Sequence, residues 1–128
     1  MARKIVQSND APKAIGPYSQ AVQVDAGKMT FLSGQIPLDP KTMEMVQGDV
    51  VAQAEQVMKN LGAVLKEAGL DFSHVVRCTI FLTDLGDFAK VNEVYGRSFT
   101  GEPPARATVQ VSALPRGAKV EIDAIAVS

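Results

Sequence analysis

Only one cysteine and one histidine occur in the 128 residues, and tryptophan is missing altogether. A lone Cys78 forms no internal disulfide. One thiol and one imidazole, His74, also fall short of the nitrogen and sulfur set of a zinc site. No metal is therefore expected. No apolar run approaches the roughly 18 residues of a membrane span, and the opening "MARKIVQSNDAP" has no signal-like apolar core. The expectation is a cytoplasmic protein with no membrane partner. Charge of one sign is scarce too. With a net charge of −1 and no run of Lys or Arg, a nucleic-acid partner held by bulk electrostatics is disfavoured.

The remainder fits one globular domain, residues 1–128, because 46% hydrophobic and 21% charged residues can build a core without disorder. "RKIVQS" (residues 3–8) reads as a short edge strand, and "NDAPKAIGPYSQ" as loop, punctuated by Pro12, Gly16 and Pro17. "AVQVD" and "KMTFLSG" flank Ala26-Gly27 with the spacing of a hairpin. From Val50 to Ala68 an i, i+3, i+4 stripe of Val50, Ala54, Val57, Met58, Leu61, Val64, Leu65 and Ala68 predicts a helix. Asp49 is placed to cap it and Gly69 to stop it. "VVRCTIFLTD" (residues 75–84) predicts a strand. Phe88, Val91, Tyr95 and Phe99 mark a second helix. "ATVQV" (residues 107–111) and "AKVEIDAIAV" (residues 118–127) predict two strands joined by a turn at "SALPRG".

The order β-ββ-α-β-α-ββ predicts an α/β (α+β) domain with a mixed sheet and both helices on one face. The other face then needs a cover. Along the last strand Val120, Ile122, Ala124 and Ala126 point one way, and Glu121, Asp123, Ile125 and Val127 the other. That second, partly apolar face predicts a subunit interface.

Chemistry-bearing residues are few. His74 reads as a solvated loop residue and Cys78 as a buried thiol beside Val76, Ile80 and Leu82. Asn92 shares the stripe of the second helix, either as a structural amide or as a substrate contact. Arg106, Thr108 and Gln110 share one face of their strand. If the last two strands pair with Thr108 opposite Glu121, Arg106 and Glu121 come together. They then form either a cross-strand ion pair or a small anion site in which the guanidinium grips a carboxylate and Glu121 manages a proton or water. Spacing alone favours the ion pair.

"AIGPYSQAV", "FLSGQIPLDP", "FLTDLGDFAKVNEVY", "PPARATVQVSALP" and "VEIDAIAV" together, from Ala14 to Val127, resemble the RidA family of reactive intermediate deaminases. The resemblance implies a chorismate-mutase-like fold, assembled as a homotrimer with a barrel-like core and sites between subunits. It implies hydrolysis of enamine and imine acids, such as 2-aminoacrylate and 2-iminopropanoate, to 2-oxo acids and ammonia, with no cofactor. On this resemblance Arg106 holds the substrate carboxylate and Glu121 positions or activates water. Tyr18 closes the pocket, while Ser33 and Asn92 line it. Thr108 stands where some members carry cysteine, so a backbone contact is still possible there but a thiol role is not. Three rival readings stand beside it: a trimer that senses 2-oxo acids without turnover, a ribonuclease or translation inhibitor, and a chaperone-like activity of exposed apolar surface, which the trimer should cover.

Overall fold

The computed structural model describes residues 3–25 and 27–128. Its longest element, helix α1, runs Val50–Glu67 and follows the predicted stripe closely. The Asp49 carboxylate accepts from the Ala52 backbone N–H at 3.1 Å, satisfying one of the donors that a helix start leaves open. Gly69, at φ +76°, turns the chain out of the helix in the left-handed region, where a side chain is strained. Val50, Ala54, Val57, Met58, Leu61 and Leu65 are buried, whereas Val64, expected in the same stripe, is 41% exposed at its border.

The strands are β1 (Arg3–Val6), β2 (Ala21–Val24), β3 (Met29–Gln35), β4 (Val75–Leu82), β5 (Ala105–Gln110) and β6 (Val120–Val127). They form two sheets rather than one: a β1-β2 ribbon, and a four-stranded sheet in the order β3-β6-β4-β5. Both predicted hairpins are therefore corrected. β2 pairs with β1, and β3 pairs with β6; the expected turn includes Ala26, which lies outside the described residues. Arg3 donates to the carbonyls of Ser73, Val75 and Glu102 at 2.7–3.0 Å, which fixes the ribbon across the starts of β4 and β5.

At the C-terminus β5 and β6 are not neighbours either, because β4 lies between them. Helix α2 (Phe88–Gly96) carries the chain from β4 over to β5, which runs parallel to β4, as a helical crossover requires. Residues 111–119 then span two strand spacings, about 10 Å, to start β6 antiparallel on the other edge of β4. Strand β5 also begins earlier than predicted, so Arg106 is its second residue rather than part of its lead-in.

One face of the large sheet packs on both helices. Leu32, Cys78, Ile80, Leu82, Val120, Ile122, Ala124 and Ala126 meet Val57, Leu61, Leu65, Val91, Val94 and Tyr95 in a single core. A bulge between Val75 and Arg77 shifts β4 by one residue, so Val75 and Cys78 are buried and Val76 leaves the face assigned to it from alternation. The opposite face carries Phe81, Glu121, Asp123 and Ile125, with Phe31 69% and Met29 55% exposed.

Candidate active site

In register, Arg106 stands opposite Cys78, and Cys78 opposite Ala124. The arginine therefore emerges on the helix-covered face, at the rim of the core, and is half-buried. Helix α2 supplies the wall beside it. Phe88, Asn92 and Tyr95 lie at i, i+4 and i+7 and so project from one side of that helix. Arg106 Nη1 donates to Asn92 Oδ1. The guanidinium carbon lies 5.3 Å from the Tyr95 ring centre, 5.5 Å from Phe88 and 5.3 Å from Tyr18. These distances suit attraction between a cation and aromatic faces.

Tyr18 comes from the loop before β2, which is tied to the entry of β5. Ser19 donates its backbone N–H to Pro104 O at 3.1 Å and its hydroxyl to Pro103 O. Both acceptors belong to the stiff Pro103-Pro104 lead-in, where the second proline keeps the first extended, and Pro104 is fully buried. At the loop tip, a Cβ on Gly16 would touch Asn92 Nδ2 at 3.4 Å and Arg106 Nη2 at 3.7 Å. The tip rests on the guanidinium.

Among the described residues, no carboxylate forms an ion pair with Arg106. Burial lowers its pKa, partly offset by Tyr95, Tyr18 and Cys78, yet an arginine remains charged throughout the ordinary range. Beneath it the Cys78 thiol is pushed up to about 11 by burial, so it is no nucleophile near neutrality. The Tyr95 hydroxyl, beside that thiol, is likewise pushed upward by burial. Thr108, two residues on, shares the face of Arg106 and stands opposite Ile80, with its hydroxyl buried.

Glu121 is elsewhere. It stands opposite Phe81, on the open face, with β4 between its strand and that of Arg106. Three residues and two strand spacings put their Cα atoms roughly 14 Å apart, with the side chains on opposite faces of the sheet. The intrachain Arg106–Glu121 ion pair is therefore excluded, since it needed β5 and β6 side by side. Glu121 lies against Gly34, and the adjacent Ser33 is exposed. One chain thus gathers Arg106, Asn92, Tyr18 and Thr108 in one place, and Glu121 and Ser33 in another.

Phe88 and Tyr95 join the first group, although their place in an apolar stripe marks them as core alone. Their i, i+4, i+7 spacing with Asn92 is the signal that the sequence holds. His74 serves the local backbone: its Nδ1 accepts from the Asp71 backbone N–H at 3.1 Å and closes a short turn before β4. No group of three His, Cys, Asp or Glu suited to a metal occurs among the described residues. No described helix is long and apolar enough to cross a membrane. A concavity of about 430 Å³ lies behind the Tyr18 loop against Lys13, Gln20 and Glu102, and Arg106 does not line it.

A family model described as endoribonuclease L-PSP matches residues 8–128. The crystal structure of RidA from an Antarctic Psychrobacter is 46% identical, with a TM-score of 0.76 over 98% of this chain and 99% of that one. The chain belongs to the RidA family. Its α+β architecture is the family's, and the resemblance of the five segments is a true one. Among curated relatives of this RidA-family chain, protein DfrA of Myxococcus xanthus is 88% identical, over 100% of this chain and 98% of that protein. The mouse 2-iminobutanoate/2-iminopropanoate deaminase is 55% identical, over 98% of this chain and 91% of its own length.

Proposed function

We propose that the protein is a hydrolytic deaminase of small enamine and imine acids, which releases 2-oxo acids and ammonia. The observation that carries the reading is the Arg106 guanidinium: half-buried, fixed by Asn92, flanked by three aromatic rings, and without an ion-pairing carboxylate among the described residues. Such a group is ready for a carboxylate from outside, which it can take through two parallel N–H bonds. Relatives named as 2-iminobutanoate/2-iminopropanoate deaminases supply the reaction.

The separation of Arg106 from Glu121 shapes the mechanism. The open sheet face, with exposed Phe31 and Met29 around Glu121, is suited to burial against other copies of the chain. In a homotrimer with sites between subunits, Arg106 holds the substrate carboxylate and Glu121 of the partner subunit holds water. Tyr18 and the Gly16 tip cover the guanidinium, and Asn92, Thr108 and Ser33 line the cleft. Water adds to the iminium carbon and gives one proton to the glutamate, forming a carbinolamine. The glutamate returns the proton to nitrogen; as the C–N bond breaks and ammonia leaves, the hydroxyl collapses to the ketone and its proton passes to the regenerated carboxylate, which releases it to ammonia or solvent. The imine carbon is already electrophilic, so orientation and proton management suffice and no cofactor enters.

A coupled assay tests this reading. Threonine dehydratase acts on serine, and the lag in pyruvate formation is timed with and without the protein. The lag should shorten with wild type and not with Arg106→Ala. An unchanged lag with wild type would sink the deaminase reading. The RNA-cleaving activity in the family model's name fits the site less well. It calls for a general acid and base beside a phosphate, whereas the one histidine is occupied in a turn.

A further inference from the structure

Strand β3 carries one more residue than β6 between two paired positions, since Leu32 faces Ala124 and Gln35 faces Ile122. The extra residue makes a bulge at Ser33-Gly34, next to Glu121. A Cβ built on Gly34 would overlap Glu121 Oε2 outright and stand 2.8 Å from Cδ and 3.1 Å from Cγ. The whole carboxyl end of Glu121 therefore lies in the space that glycine leaves open.

Backbone conformation does not explain this glycine. Positive φ occurs among the described glycines at Gly48, Gly69 and Gly117, and Gly34 is not one of them. No ion pair among the described residues engages Glu121. Its carboxylate is held by shape, against the backbone of a neighbouring strand.

We infer that Gly34 is a positioning residue for Glu121: the bulge and the missing side chain form a slot that sets where the water-holding carboxylate stands. The inference rests on the water-holding reading of Glu121. An alanine at position 34 keeps the strand and pushes the carboxylate aside, because the group it meets is the free end of a flexible side chain. Such a shift, of the order of an ångström, should lower turnover about 10- to 100-fold. The carboxylate grip on Arg106 is untouched, so KM should stay within about twofold.

The test is a double-variant cycle on the full chain, read as kcat and KM for iminopropanoate hydrolysis and as Tm. Gly34→Ala should lower kcat while leaving Tm within a few degrees. In the Glu121→Ala background the same change should have no further effect, because the group it acts through has gone. Wild-type turnover by Glu121→Ala would overturn the water-holding reading itself, and the slot with it. Slow turnover by Glu121→Ala combined with normal turnover by Gly34→Ala would overturn the slot alone. So would losses that multiply in the double variant.

Discussion

Asn92 Oδ1 accepts a hydrogen bond from Arg106 Nη1, linking a helix side chain to a strand side chain 14 residues away. The bond fixes the plane of the guanidinium and leaves its other N–H groups for a ligand. Hydrogen bonds to charged groups contribute about 1.5–3 kcal/mol. Asn92→Ala should accordingly lower kcat/KM about 10- to 100-fold, chiefly through KM, in steady-state assays. Asn92→Asp should be worse than alanine, because its carboxylate would pair with Arg106 and compete with the substrate.

Arg106 itself tolerates no conservative exchange if it grips a carboxylate. Arg106→Lys should lose nearly all acceleration, since an ammonium cannot reproduce a two-pronged grip. Circular dichroism and size-exclusion chromatography should show the same fold and assembly as wild type. A lysine variant with near-normal kcat/KM would show that charge alone suffices.

Tyr95 separates the ring from its hydroxyl. The ring is fully buried, 4.7 Å from that of Phe99 and beside Arg106, so Tyr95→Ala should destabilise the protein by about 3–5 kcal/mol. The hydroxyl is buried with no oxygen or nitrogen partner among the described residues, and only the weakly bonding Cys78 thiol lies beside it. Tyr95→Phe should therefore leave Tm unchanged or raise it, as measured by differential scanning calorimetry. A fall of many degrees would mean that the hydroxyl is bonded in the native protein.

Cys78 predicts a pH dependence. Burial holds its thiol protonated up to about 11, against 9.0 when free. Between these values the unfolded chain loses the proton and the folded chain keeps it. Stability is therefore fully present below pH 9 and falls as pH rises toward 11. Urea melts across that range should show a shallower decline for Cys78→Ala than for wild type. Thiol reagents at about pH 8 should modify native Cys78 far more slowly than the unfolded chain.

Local pattern makes part of this fold legible. The α1 stripe, the Asp49 cap, the Gly69 stop and the alternation in β6 all depend on neighbours in sequence, and residue spacing places all of them. Strand partners are another matter. Alternation in β2 and β5 says which residues share a face but not which strand lies alongside, and both expected hairpins are longer-range pairings in the structure. The same gap affects the site. Arg106, Asn92 and Tyr18 emerge as neighbours of one place through the family resemblance. The pairing of Arg106 with Glu121 depends on a register that β4 interrupts. Phe88 and Tyr95 escape notice because an aromatic residue looks the same in a stripe whether it fills a core or flanks a cation. Gly34 escapes because its importance is visible only from the strand beside it.

The two hydrogen bonds from Ser19 to Pro103 and Pro104 also bear on traffic through the pocket. They join Tyr18 and Arg106, 88 positions apart in the chain, through only a few residues of rigid backbone. The backbone that carries the tyrosine cannot lift away without unpicking the entrance of β5. On the deaminase reading, substrate and product should then pass by the small Gly16 tip or by the opposite side of the cleft. Turnover should be governed by capture and chemistry, and viscosity should slow kcat/KM more than kcat.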